Sequence, residues 1–100
     1  MTLRHIVCWR LNGASKSVRD EQAAKATALL MSLPAKISVI KDMQVHRNEL
    51  FDGDNFDLML VADFANSTDL AEYAAHPEHQ PAISLMKSIA SERSAIDFTL

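Results

Sequence analysis

Cysteine occurs once in this chain, as Cys8, glycine twice and proline three times. A single cysteine excludes an internal disulfide and a thiolate metal cluster, and a reducing, cytoplasmic setting is the expectation that suits it. Basic residues do not outnumber acidic ones: 10 Lys and Arg face 13 Asp and Glu, for a net charge of −3. Phosphate backbones demand a basic field, so nucleic acid is excluded as a main partner. No apolar run approaches the ~20 residues that cross a bilayer, and no signal-peptide pattern opens the chain, so no membrane association is expected. Phosphate-binding glycine loops, GxSxG, HExxH and dinucleotide fingerprints are also missing.

What is present is ordinary globular material, with 48% hydrophobic and 23% charged residues. One hundred residues make one domain, 1–100. A chain of this size buries only roughly 60–65% of its unfolded surface, so a partner subunit is a natural source of further burial.

Apolar periodicity divides the chain. Leu3 to Leu11 alternates as a strand, with His5, Val7 and Trp9 on one face and Arg4, Ile6, Cys8 and Arg10 on the other. Ser17, with Asp20 after it, is the expected N-cap of a helix carrying Gln22, Ala26, Leu29, Leu30 and Leu33, stopped by Pro34. Val39 to Asn48 reads as a second strand, Phe51 to Asn55 as a turn, and Phe56 to Ala65 as a third strand. Asn66 or Ser67 caps a short helix to about Ala75, which Pro77 interrupts. Pro81 opens another helix with Ile83, Met86, Ile89 or Ala90, and Arg93 on one side, before Ile96, Phe98 and Leu100 alternate in a last strand. The fold class is therefore α+β, in the order β-α-β-β-α-β.

Two helices cover one face of a four-stranded sheet. Ile6, Cys8, Met59 and Val61 then leave the other face apolar, and an apolar sheet face in a small domain implies a covering partner. The simplest is a second copy, so a homodimer packed sheet to sheet is expected, with Cys8 as a small apolar residue in its seam.

Proton-transfer groups crowd into Tyr73-Ala74-Ala75-His76-Pro77-Glu78-His79. Tyr73 follows Leu70 on the short helix and faces the core; its role is either packing or donation to a substrate oxygen. His76 suits the helix end before Pro77, where the dipole favours a cation. The proline break frees His79 from helical periodicity, so it either turns into a pocket beside Tyr73 or stays at the surface with Glu78. His5 reads either as a satisfied core histidine or as a pocket base. His76 and His79 match no zinc-site spacing with a clear third ligand, and no metal is expected. His46 reads as surface.

These segments carry a resemblance. Arg4-His5-Ile6-Val7, Phe56 to Phe64, Tyr73 to His79 and Ile96-Asp97-Phe98 together resemble the stress-responsive dimeric α+β barrel (Dabb) domain over nearly the whole chain. The resemblance implies a ferredoxin-like fold whose sheets pair into a barrel. It also implies a functionally mixed family, a few of whose members are cofactor-free polyketide cyclases. In those members a tyrosine and a histidine of the helix-break segment, with a strand-one histidine, serve the reaction; the roles fall here on Tyr73, His79 and His5. Two polar pocket groups of the plant cyclase are replaced, by Leu58 and by an alanine near Ala26 or Ala28.

The expected pocket lies between sheet and helices, lined by Val7, Trp9, Leu58, Leu60 and Leu30. Its expected ligand is a small apolar or carbonyl-rich molecule, without a cofactor. If the protein is an enzyme, the resemblance makes it a cyclase-like lyase or isomerase in which His79 removes an α-proton, Tyr73 bonds the enolate oxygen and His5 orients the substrate. The alternatives are a non-catalytic ligand-binding or stress-linked structural dimer, and a cofactor-free monooxygenase on the same architecture.

Overall fold

The computed structural model describes residues 1–100. Its elements are β1 (Leu3–Leu11), α1 (Lys16–Met31), β2 (Asp42–Arg47), β3 (Leu58–Phe64), α2 (Ser67–Ala75), a 3-10 turn (Pro77–His79), α3 (Gln80–Ile89) and β4 (Ala90–Thr99). The strands form one antiparallel sheet in the order β2-β3-β1-β4, so β1 is flanked by β3 and β4. This is the ferredoxin-like arrangement that the family resemblance implied, on the β-α-β-β-α-β order read from the alternation of strand and helix.

Strand alternation sorts the two sheet faces. Val7, Trp9 and Leu11 of β1 and Leu58, Leu60, Ala62 and Phe64 of β3 are buried on one face. Ala23, Ala26 and Leu30 of α1, Tyr73 of α2, and Ala82, Met86 and Ile89 of α3 close over them. On the other face Ile6 stands between Val61 and Ile96, and Cys8 between Met59 and Ser94. No helix covers these residues, and Ile96 and Phe98 are 61% and 40% exposed. Arg4 grips Asp63 there through two hydrogen bonds, of 2.9 and 3.0 Å.

Several boundaries differ from the sequence expectation. Ser15, not Ser17, caps α1, its hydroxyl accepting from the Val18 amide at 3.2 Å. Asp20 is thereby released from capping and pairs with Lys16 and Arg47. The early start of the helix brings it close to Gly13. A Cβ there would meet Val18 Cγ1 at 2.8 Å and the Arg19 nitrogen at 2.9 Å, so the turn after β1 needs a glycine.

At its other end α1 stops at Met31, ahead of Leu33, which the following Pro34 keeps from helical geometry. Leu33, Ile37 and Ile40 are buried instead within a chain of turns, held by bonds such as Ile37 N–H to Leu33 O. The second strand consequently begins at Asp42 rather than Val39.

The third strand begins at Leu58 rather than Phe56. Asp57 still bonds Trp9 O and the Asn48 amide through its backbone and accepts the Leu11 amide on its side chain at 2.8 Å, while Phe56 lies under the Arg10 guanidinium. The last helix is also shorter than expected. Ala90 takes extended geometry directly after Ile89, so Arg93 belongs to β4 and not to the helix. β4 is accordingly longer than Ile96 to Leu100 would make it, and the second helical unit is α2 and α3, separated at Pro77 as the sequence suggested.

Candidate functional site

The helices cover β1, β2 and β3 but leave the inner face of β4 open. Every residue from Ser91 to Thr99 is exposed. Between that strand and α3 a cavity of about 520 Å³ opens, within the ordinary range for a small-molecule site.

Its floor is His5, Val7 and Trp9 of β1 with Leu60 of β3, and Leu30 of α1 reaches it from behind. Tyr73 and Ala74 of α2 form one wall with His79. Ala82, Ile83, Met86 and Lys87 of α3 form another, and Ser91 and Arg93 stand on the β4 side. Leu58, expected in this wall, is fully buried beside it and does not line it. It pairs with Trp9 and continues the core away from the opening.

Sequence local to the helix break explains the convergence of the polar groups. α2 ends because Pro77 lacks an amide hydrogen and disfavours helical geometry at His76. His76 is extended, donates its backbone N–H to Tyr73 O, and accepts the Glu78 amide on Nδ1 at 3.0 Å. His76 thus ends one helix and starts the 3-10 turn, and it does not reach the cavity. The turn swings His79 back over α2. Its ring stacks on Tyr73 with centroids 4.1 Å apart and planes 28° apart. Phe64 supports the other partner, its ring centroid 5.1 Å from that of Tyr73.

The protonation states follow from these contacts. His79 Nδ1 lies 3.3 Å from Ala74 O, and a carbonyl only accepts, so Nδ1 carries the hydrogen and Nε2 of the neutral ring is bare. Burial holds the His79 pKa below that of an ordinary histidine; bonds to Ala74 and Tyr73 oppose this, and the proximity of His5 and His76 adds to it. Tyr73 is 2% exposed. Burial pushes its phenol up to about 12, partly offset by the positive charge of Arg93. The Tyr73 hydroxyl is therefore a permanent hydrogen-bond donor at neutral pH, and it makes no bond within the chain.

His5 approaches from the sheet. Its Nδ1 meets the Asp97 carboxylate, which stands directly opposite it in the β1–β4 register. The carboxylate only accepts, so Nδ1 carries a hydrogen and Nε2 is left free for a ligand. Asp97 is a residue the sequence reading did not single out as part of the site. Its signal was the alternation in Ile96-Asp97-Phe98, which sends Asp97 to the face opposite its apolar neighbours. Pairing it with His5 also required the register. The α3 residues Ala82, Ile83 and Met86 and the β4 residue Arg93 were likewise not assigned to the wall.

The arrangement can hold a ligand carbonyl at a protonated phenol and offer a bare imidazole nitrogen beside it. Nowhere in the chain do three or more His, Cys, Asp and Glu side chains gather as a metal-binding group. No helix is long and apolar enough to cross a membrane.

The family model for the stress responsive A/B barrel domain, Dabb, matches residues 3–100. The chain belongs to this family. Among solved structures, the chain is similar to a dimeric protein of unknown function and ferredoxin-like fold from Bacteroides fragilis. It is 28% identical, with 99% of this chain and 96% of that one covered and a TM-score of 0.89. The hydroxynitrile lyase of Passiflora edulis is 14% identical, with 99% and 93% covered and a TM-score of 0.82. A cofactor-independent oxygenase from Streptomyces nogalater is also 14% identical, with 99% and 92% covered and a TM-score of 0.77. At that identity the last two likenesses are of fold alone. No curated protein matches the sequence.

Proposed function

We propose that this Dabb protein binds a small carbonyl-rich molecule in the cavity and catalyses cofactor-free proton transfer on it, in the manner of a polyketide cyclase. The observation that carries the reading is the Tyr73–His79 pair. An unbonded, protonated phenol stacked against an imidazole with a bare Nε2 is the minimum equipment for enolisation. Tyr73 donates to the carbonyl oxygen and stabilises the charge that develops on it. His79 Nε2 accepts the α-proton and returns it after the carbon skeleton has reacted. His5, oriented by Asp97, hydrogen-bonds through Nε2 to the enol hydroxyl of the second oxygen of a 1,3-dicarbonyl unit. A positioned base of this kind is worth roughly 10²–10⁴-fold, enough for an already acidic carbon.

The open cavity favours this reading over a purely structural dimer. A stress-linked structural role would leave Tyr73, His79 and His5 no reason to line the same 520 Å³ space. An oxygenase reading rests on likeness of fold and has no residue of its own to support it.

Exchange of the α-protons of 1-phenylbutane-1,3-dione with deuterium, followed by NMR, tests the chemistry. Wild type is expected to accelerate exchange at least about 10²-fold over buffer, and His79→Ala and Tyr73→Phe to remove most of it. Exchange at the buffer rate in the wild type would refute the proposal.

The protein is also proposed to act as a homodimer. Ile6, Val61, Ile96 and Phe98 form an apolar surface without a covering element, and the Bacteroides fragilis structure that resembles it is dimeric. A light-scattering mass of one chain at micromolar concentration is the result that would exclude it. A cytoplasmic setting is in keeping with the one free cysteine.

A further inference from the structure

Two cations stand at the rim of the cavity, and the proton transfer proposed above uses neither. Lys87 is in the last turn of α3, and Arg93 lies opposite Trp9 in β4, on the cavity side of the sheet. Most of the chain's other strong cations are engaged: Arg4 with Asp63, Arg10 with Glu92, Lys16 and Arg47 with Asp20, and Arg19 with Asp52. Lys87 and Arg93 appear in none of these ion pairs. Glu92, the carboxylate in the cavity wall, is already held by Arg10 at 3.2 Å.

The molecule as a whole carries −3, so two uncommitted cations at one mouth reverse the local sign. Lys87 has a sufficient explanation in the helix dipole, which favours a cation at a C-terminal turn. Arg93 has none of that kind, since it projects from a strand between Ser91 and Ala95. A guanidinium is a planar fork that matches an oxyanion edge-on. The nearby carbonyl end of α3 carries partial negative charge, which opposes a dianion more strongly than a group with one charge.

We infer that the ligand of this cavity is an organic acid, with its carboxylate held at the mouth by Arg93 assisted by Lys87. The apolar body lies over Trp9, Val7 and Met86, and the carbonyl or hydroxyl end reaches Tyr73 and His79. This rests on the reading of the cavity as a carbonyl-ligand site and narrows it to keto or hydroxy acids. Neutral polyketones and phenols lack the group that Arg93 would hold.

The test is calorimetric titration with 6-hydroxy-2-naphthoate and its methyl ester, which share a ring system and differ by one charge. Wild type is expected to bind the acid at least about tenfold more tightly than the ester, the scale of one charge-assisted hydrogen bond. In Arg93→Gln the two affinities converge while that for the ester is unchanged. In Arg93→Glu the ester becomes the better ligand. Lys87→Gln lowers the acid's advantage by less than Arg93→Gln does. Arg93 is exposed, and unchanged circular dichroism of its variants shows that folding is not what is being measured.

Equal binding of acid and ester by the wild type, with Tyr73→Phe weakening both, overturns the carboxylate inference and leaves the site reading standing. An acid preference that survives Arg93→Gln overturns the assignment to Arg93. Failure of both probes to bind overturns the inference together with the site reading beneath it.

Discussion

β3 and β4 both pair with β1, yet they are built for different ends. In β3, Leu58, Leu60, Ala62 and Phe64 are each 2% exposed or less. In β4 no residue is buried, although Arg93, Ala95 and Asp97 face the same side of the sheet. The helices explain the contrast. α1 and α2 lie over the β1–β3 side, whereas α3 runs straight into β4 at Ala90 and ends at its edge. The β3 half of the inner face is a packed core, and the β4 half is open and borders the cavity.

The largest effect that could break this comparison is on stability. Phe64→Ala removes a fully buried ring and should cost about 3–5 kcal/mol in denaturant unfolding. Ala95→Ser, on the same sheet face but in β4, should change stability by no more than about 0.5 kcal/mol. Similar losses at both positions would mean that β4 is covered in solution as β3 is, and the cavity would not be open.

A smaller effect separates function from packing on the β4 side. Asp97→Asn replaces the acceptor-only carboxylate that fixes His5 with its hydrogen on Nδ1 by an amide that can accept or donate. Asp97 is exposed, so folding should survive within about 1 kcal/mol. Deuterium exchange in the diketone should fall roughly tenfold, because the amide no longer holds the imidazole in one tautomer. Exchange unaffected by the substitution would confine the chemistry to Tyr73 and His79.

How much of this was legible in the sequence depends on which half is considered. The β1 and β3 alternation, the cap at Asn66 or Ser67, which the structure places on Asn66, and the Pro77 break are local signals, and each marked its element. The core half of the fold followed from them. The cavity half depends on register and on where α3 stops, and neither is local. Arg93 continues the 3.6-residue spacing of Ile83, Met86 and Ile89, so periodicity placed it on the helix. The extended geometry of Ala90 moved it to the strand, and with it one of the two uncommitted cations of the rim. Asp97 was visible only as a polar residue between Ile96 and Phe98, since nothing local reveals that it meets His5 92 positions away. At the N-terminus of α1, Ser15 and Ser17 offered the same chemistry, and the close packing of the helix onto Gly13 decided between them.

The smallest expected effect is on pH dependence, and it sharpens the comparison from inside the cavity. His79 is half-buried, and burial lowers its pKa below that of an ordinary histidine. The group acts as a base when neutral, so exchange should be at its plateau at pH 7 and decline only below the ordinary histidine value. Tyr73 loses its proton only near pH 12, so no alkaline limb should appear up to about pH 10. Stability should follow the same group. An unfolded histidine takes up its proton near pH 6.5 while the folded one still resists it, so the unfolded state binds more protons as acid is added. The contribution is fully present above that value and is lost as the pH falls through the depressed folded value. His5→Gln removes one of the neighbours whose proximity lowers the His79 pKa and should move the acid limb of exchange toward the ordinary histidine value. A limb that stays in place in that variant, measured in the same buffer series, would mean that burial by the α2 and α3 side of the cavity alone sets the basicity of His79.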